Sequence, residues 1–428
     1  MKHRKRVICE VVMIALSAAS AASVFAGTPS LLAGGSSLVA PLIQTEIAAF
    51  PIADGAITYS PVGAGQGESA FLSNTPQYLN SGTTTYTMPV DFVNSDAALS
   101  AIQLYQYLGS SLGQVDGPLI QIPYVVTPIA IAVVGGPRRT GLALPNAGPK
   151  SVALNDNDLC GIFSGMITNW NQVFDPISQT LYTLNAPITV VYDESNSGGT
   201  DLLTRHLAAV CTSTNSRITF VEQQNFAGIF TEVNHTLPSN FVAAYGDAGM
   251  ANALVSLSSA GTAGVAYLSP SFTNTFLAPS SAPAALYNLP VASLLNANSN
   301  TMEIPTSSAA TYALGNAAPP TGSAASQPAN WVPNVANPSA GYPISGTSQI
   351  IVSQCYANTD AANPSPAQSI VDFLTAHYGY ANTSVIIGNG FDVPSAYVNA
   401  ITADFLSNAN NLNLDIGNAT ACSKIKGR

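Results

Sequence analysis

The sequence predicts an α/β protein of two lobes, on three observations. Short apolar, strand-like runs alternate with amphipathic helical segments through most of the chain. Behind a basic and apolar leader, about 400 of the 428 residues remain, more than the ~250–300 at which a single hydrophobic core stops growing. The four cysteines beyond the leader, an even number, fit disulfides in a chain that leaves the reducing cytoplasm.

The leader comes first. Met1-Lys2-His3-Arg4-Lys5-Arg6 is basic, the run Val7 to Phe25 is apolar, and Val24-Phe25-Ala26 supplies small residues for cleavage after Ala26. That is the pattern of a secretory signal peptide over residues 1–26. Cys9 lies deep in the apolar run, away from the cleavage site. No later stretch has the ~20 consecutive apolar residues a bilayer span needs, so the mature chain is read as soluble, in the periplasm or secreted.

Strands are expected at Leu119 to Thr127, Ile129 to Val134, Ile188 to Tyr192, Gly264 to Leu268 and Gln349 to Ser353. Helices are expected at Val39 to Phe50, Asn155 to Phe163, Asp201 to Val210, Gly249 to Ser258 and Ala367 to Tyr378. In the third of these, Leu202, Leu203, His206 and Leu207 fall on one stripe. The stretch 278–341 is crowded with Ala, Pro, Ser and Asn and reads as an irregular insertion lying mostly on the surface. Trp170 and Trp331 are expected to pack at lobe edges.

Without the leader, eight Lys+Arg face 21 Asp+Glu, a net charge of −13. Such a surface repels nucleic acid and anionic membranes, whose affinity for proteins comes from Lys and Arg. Cys160, Cys211, Cys355 and Cys422 allow three pairings; sequence order suggests Cys160–Cys211 and Cys355–Cys422. There is no His-Glu-x-x-His zinc motif and no Gly-x-Ser-x-Gly nucleophile elbow, so no metal, cofactor or catalytic residue is assigned. His206, His235 and His377 are scattered and are read as packing residues.

Three segments share one design, an extended stretch followed by a small-residue loop and a helix. They are Gly34-Gly35-Ser36-Ser37-Leu38, Gly63-Ala64-Gly65-Gln66-Gly67 and Ser195-Asn196-Ser197-Gly198-Gly199-Thr200. Glycine lets backbone come close to a ligand, and the free N–H groups of a helix start favour an anion. With the acidic loop Asn94-Ser95-Asp96, they are expected to form one composite pocket in an interlobe cleft.

The stretch Leu159-Cys160-Gly161-Ile162-Phe163-Ser164-Gly165 with Asn169-Trp170 resembles the phosphate-binding proteins of bacterial phosphate importers, and more closely their exported DING-type and alkaline phosphatase relatives. So do Val190-Val191-Tyr192 through Thr204-Arg205, Ala266 to Pro270, Tyr342-Pro343-Ile344 and Ser353 to Asn358. The likeness continues through Phe373, His377-Tyr378-Gly379 and Ile416-Gly417-Asn418 to Cys422. It implies a hinge-closing, type II periplasmic-binding-protein-like fold, with the four cysteines where that subgroup places its two disulfides. It also implies a first lobe of 27–124 plus 342–428, a second of 125–341, a monomer, and an ABC importer as partner. Phosphate contacts are carried over to Ser37, Leu38, Ala64, Asp96, Asp193, Ser197, Gly198 and Gly199, with Gly65 and Thr200 beside them.

The departures from that pattern fall in the pocket. Asp193 stands where the family has its anion-pairing arginine, and Ala64 and Gly199 stand where it has hydroxyls. Losing a bidentate guanidinium from a buried anion costs about 2–5 kcal/mol, unless Arg138, Arg139 or Lys150 reaches in. Arg205 is expected as a surface or interlobe ion-pair partner. The expected function is therefore an exported solute-binding protein for phosphate or a phosphate-like ligand. Two alternatives stand beside it, a secreted phosphatase of the same subgroup and a binding module for a non-phosphate ligand.

Overall fold

The computed structural model describes residues 27–428; the leader at 1–26 lies outside the described residues. One sheet has the order β2-β1-β3-β14-β4, from β1 (Ser30–Gly35), β2 (Ala56–Ser60), β3 (Val90–Ser95), β4 (Leu119–Pro128) and β14 (Ser345–Ser353). β1 runs parallel to β2 and β3, whereas β14 is antiparallel to β3 and β4. Every residue of β3, β4 and β14 is buried, which requires helices or loops on both faces. Two of these covering helices, α1 (Ala40–Ala49) and α2 (Ala64–Ser73), begin at the first two glycine segments, α1 just behind the first and α2 within the second, whose residues from Ala64 on form the helix's first turn rather than a loop.

The second sheet has the order β10-β9-β11-β5, from β5 (Ala130–Val134), β9 (Ile188–Asp193), β10 (Phe241–Ala244) and β11 (Ala263–Leu268). Its helices include α5 (Asp156–Ser164), α6 (Gly198–Val210), α7 (Phe226–Glu232) and α8 (Gly246–Ser259). Between the lobes the chain crosses twice, side by side. A single residue, Ile129, separates β4 from β5, and its amide donates to Ile344 O (2.8 Å) just before β14 begins.

Both disulfides are formed, Cys160–Cys211 and Cys355–Cys422, with Cα separations of 5.5 and 5.6 Å. The first ties α5 to the end of α6. The second ties the end of the chain to the residue two beyond β14.

Stretch 278–341 lies mostly at the surface, as expected, but is less irregular than its composition suggests. It contributes β12 (Ala292–Asn296), which pairs in parallel with β6 (Val152–Leu154) and antiparallel with β13 (Thr301–Glu303). It also contributes α10 (Ser307–Leu314), packed on β4 and β14. Its composition conceals these elements because small residues such as Ala292, Ser293 and Ala310 can pack closely where they are buried. Both tryptophans likewise sit in the interior rather than at lobe edges. Trp331 donates from Nε1 to Ala325 O (2.8 Å) and meets the ring of Phe405 edge-on, 4.9 Å between centroids. Truncating a fully buried Trp typically costs about 3–5 kcal/mol. Trp331→Ala is expected to lower unfolding stability by that amount in urea titration; an unchanged midpoint would show that the insertion is not part of the core.

Candidate functional site

The three glycine loops and Asp96 meet between the lobes, at the carboxyl ends of the parallel strands, where open α/β sheets place ligands. Loop one leaves β1 at Gly35. There φ is +109° and a side chain would run into Asn94 O, so glycine is required. This lets Ser36 N donate to Asn94 O (2.8 Å) and swings the Ser36 hydroxyl onto the Asp96 carboxylate (2.7 and 3.0 Å). Tyr59 Oη donates to Ser36 O (2.8 Å) and holds the turn. Ser37 reaches across the cleft, its hydroxyl donating to Asp247 Oδ2 (2.9 Å), while Leu38 is buried in the first-lobe core.

Loop two is fixed by Gly63 N donating to Gly35 O (2.9 Å), and by Gly67, whose position leaves space for loop one and no Cβ. Ala64 is buried at the start of α2, and Gly65 N donates to Asn196 O of loop three (3.0 Å). Glu68, one turn further on, accepts from Ser95 Oγ (2.5 Å), Gln103 Nε2 (2.9 Å) and, across the cleft, Gln224 Nε2 (2.9 Å).

Loop three leads into α6, capped by Ser197, whose Oγ accepts from Thr200 N. Thr200 Oγ1 lies 2.7 Å from Tyr267 Oη, and that same oxygen accepts from Asp193 N (3.1 Å). Gly198 lies so close to Asp96 that any side chain there would overlap its carboxylate, so the first turn of α6 rests on the first lobe. Gly199 lies next to it, also buried.

Asp193 closes β9 and is fully buried. Its Oδ1 accepts from Ser195 N (2.9 Å), Ser195 Oγ (2.7 Å) and Gly246 N (3.0 Å), whereas its Oδ2 is buried without a partner. It therefore points inward, and the cations that might have offset it do not enter. Arg138, Arg139 and Lys150 are exposed. Arg205 is neither at the surface nor between the lobes: it is buried in the second lobe on Asp201 (2.7 Å) and Glu222 (2.9 Å). Asp201 is itself drawn into the helix start by the macrodipole.

A fourth strand-to-helix junction, Tyr245-Gly246-Asp247, in which Tyr245 stands at the cap of α8 and Gly246 and Asp247 form its first turn, completes the site. It repeats the strand, glycine, helix design, but the helix had been expected only from Gly249, which left Gly246 and Asp247 unread. Tyr245 Oη donates to Val62 O across the cleft (2.9 Å). Asp247 takes the Ser269 amide on Oδ1 (2.9 Å) and Ser37 on Oδ2.

Burial pushes the carboxyl of Asp96 up to about 6, with the Ser348 and Ser36 hydroxyls drawing it back. Asp247 is pushed to about 7, again by burial, with Asp193 and Asp96 adding to the rise against the pull of the Ser269 amide. Burial also raises Asp193 and Glu68. The histidines stand apart from this group. His377 is buried within hydrogen-bond distance of Glu46 and Tyr124 O (2.8 Å each), His206 is buried against Asp156 and Ala336 O, and His235 is exposed. Among the described residues no cluster of three His, Cys, Asp or Glu is arranged to hold a metal ion.

The comparisons agree with this architecture. Residues 18–374 match the family model of the PBP superfamily domain. The chain is 33% identical to alkaline phosphatase L of Pseudomonas aeruginosa, over 96% of this chain and 98% of that protein. It is also 33% identical to a phosphate-binding protein of an unknown prokaryotic organism, over 86% and 93%. Among solved structures it is similar to a phosphate-binding protein from Stenotrophomonas maltophilia, with 31% identity, a TM-score of 0.72 and coverage of 94% and 100%. It is equally similar to PfluDING, a high-affinity periplasmic protein solved with phosphate bound, with 33% identity, a TM-score of 0.72 and coverage of 93% and 99%. The chain belongs to the PBP superfamily, in the family of phosphate-binding, DING-type and alkaline phosphatase L proteins.

Because Asp96, Asp247 and Asp201 are pushed to about 6, 7 and 7 from 3.8, the folded state takes up protons on forming. Stability contributed this way is fully present below pH ~4 and is lost as pH rises through 6 to 7. The urea midpoint is expected to be higher at pH 5 than at pH 8; a higher midpoint at pH 8 would contradict the assigned burial of these groups.

Proposed function

We propose that this chain is an exported solute-binding protein that holds phosphate or a phosphate-like small ligand between its two lobes. Ser37, Leu38, Ala64, Gly65, Asp96, Asp193, Ser197, Gly198, Gly199 and Thr200 form its ligand site, Leu38 and Thr200 through their backbone because their side chains are committed to the core and to Tyr267. The observation that carries this reading is the convergence of the starts of α1, α2 and α6 around Asp96, on a two-strand crossing between the lobes. Helix starts bring backbone N–H groups and partial positive charge to a ligand that carries negative charge. Asp96, as an acceptor, suits a phosphate oxygen that still carries a proton. The periplasm or cell exterior as location, and an ABC importer as partner, belong to the same proposal.

What this site lacks is a cation. Glu68, Asp96, Asp193 and Asp247 share the cleft, while the nearest guanidinium is committed to Asp201 and Glu222. The phosphate dianion is therefore held weakly, and protons compensate where an arginine does not. As pH falls, Asp247 and Asp96 become neutral and phosphate becomes a monoanion. Calorimetry with inorganic phosphate is expected to give an affinity about tenfold higher at pH 5.5 than at pH 8; tighter binding at pH 8 would overturn this account of the cleft.

One contact favours a second reading, hydrolysis of phosphate monoesters. The half-buried Ser37 hydroxyl donates to Asp247, whose carboxyl at about 7 suits a general base beside a nucleophile. Turnover of a chromogenic phosphate ester that disappears in Asp247→Asn would establish it, and absence of turnover in the wild type would exclude it.

A further inference from the structure

Given the cleft as the ligand site proposed above, we propose that its ligand carries its own cation. The ligand is an ammonium-bearing phosphomonoester or phosphonate, with its phosphoryl group at the starts of α1, α2 and α6 and its ammonium facing Asp193 and Asp247.

The Asp193 carboxylate points to this chemistry. One of its oxygens is saturated by Ser195 and Gly246, and the other is buried with no hydrogen bond within ordinary distance and only the neutral Ser197 hydroxyl beside it. An unpaired buried carboxylate oxygen is unfavourable in a folded protein and normally has a partner. In the same cleft Asp247 is buried in the first turn of α8 and receives only neutral donors, Ser37 and the Ser269 amide. No protein cation offsets either group, because Arg205 is spent within the second lobe and Arg138, Arg139 and Lys150 are exposed.

Inorganic phosphate answers half of this arrangement. It satisfies helix-start amides but leaves Asp193 Oδ2 without a donor and adds repulsion. An ammonium group brings three donors and one positive charge, so a ligand holding both groups is complementary to both halves of the cleft. The inversion from arginine to Asp193 transfers the cation from protein to ligand, and selectivity follows because an ammonium lets the buried carboxyl ionise in an ion pair, whereas an amine-free phosphate adds like charge to it.

The test is calorimetry of the purified protein at pH 7.5 with O-phosphoethanolamine, ethyl phosphate and ethanolamine, in wild type, Asp193→Asn and Asp247→Asn. Asn keeps the oxygen that accepts from Ser195 and Gly246, or from Ser269, and thermal melts confirm that each variant is folded. O-phosphoethanolamine is expected to bind about tenfold or more tighter than ethyl phosphate, an advantage that falls to about threefold or less in Asp193→Asn and shrinks in Asp247→Asn. Equal affinity for the two phosphates, or an advantage untouched by Asp193→Asn, overturns the ammonium assignment while leaving the phosphate cleft standing. Ethanolamine binding as tightly as O-phosphoethanolamine overturns the phosphoryl half, and failure of all three compounds to bind overturns the cleft as a ligand site.

Discussion

The close approach of Gly198 to the Asp96 carboxylate is the constraint around which the cleft is organised. It brings the start of α6 in the second lobe against the loop after β3 in the first, without an intervening side chain. Four further contacts between the lobes lie around that approach. Ser37 meets Asp247, Gly65 meets Asn196, Gln224 meets Glu68 and Tyr245 meets Val62 only when the two sheets are this near. The glycine is therefore a spacing device. Its missing Cβ lets a carboxylate lie on a helix start, where the macrodipole favours negative charge.

Charge explains the rest of the site's character. Members of a phosphate-binding family need donors around the ligand, and this chain retains the helix starts that provide them. It departs in where the ionic groups lie. Asp193 is buried at the end of β9 and Asp247 in the first turn of α8, and the Arg205 guanidinium of the same lobe is locked in an ion pair with two carboxylates of its own. Buried carboxylates without a cation hold protons, which is the physical origin of the raised values at Asp96 and Asp247. Ligand preference in this cleft is thus tied to protonation and to positive charge supplied from outside the protein.

Much of the fold was legible because it is written in periodicity. The buried runs that became β4, β5, β9 and β11 are largely apolar, and the helices α1, α5 and α11 (Pro366–Tyr378) lie within a residue or so of where their stripes place them, whereas β14 begins four residues before the expected Gln349 because its first half, Ser345 to Ser348, is polar though buried. The three glycine loops were legible because their residue types have few other uses. Asp247 was not legible: a Tyr-Gly-Asp turn carries no signal until the strand before it is seen to end in the cleft. Nor was the docking of Trp331, since Ala- and Pro-rich sequence reads as solvated whenever the surface it packs on is unknown. Arg205 was visible as a cation near loop three, but the partner that decides its role, Glu222, lies 17 residues away and only tertiary structure brings them together.

Small-angle scattering of wild type and Gly198→Ala at pH 5 tests the central claim most directly. If closure depends on the bare approach of α6 to Asp96, the wild type scatters as a closed two-lobed particle. The added methyl group then shifts the variant to a larger radius of gyration, with unchanged helix content. Identical scattering curves for the two proteins would contradict the account.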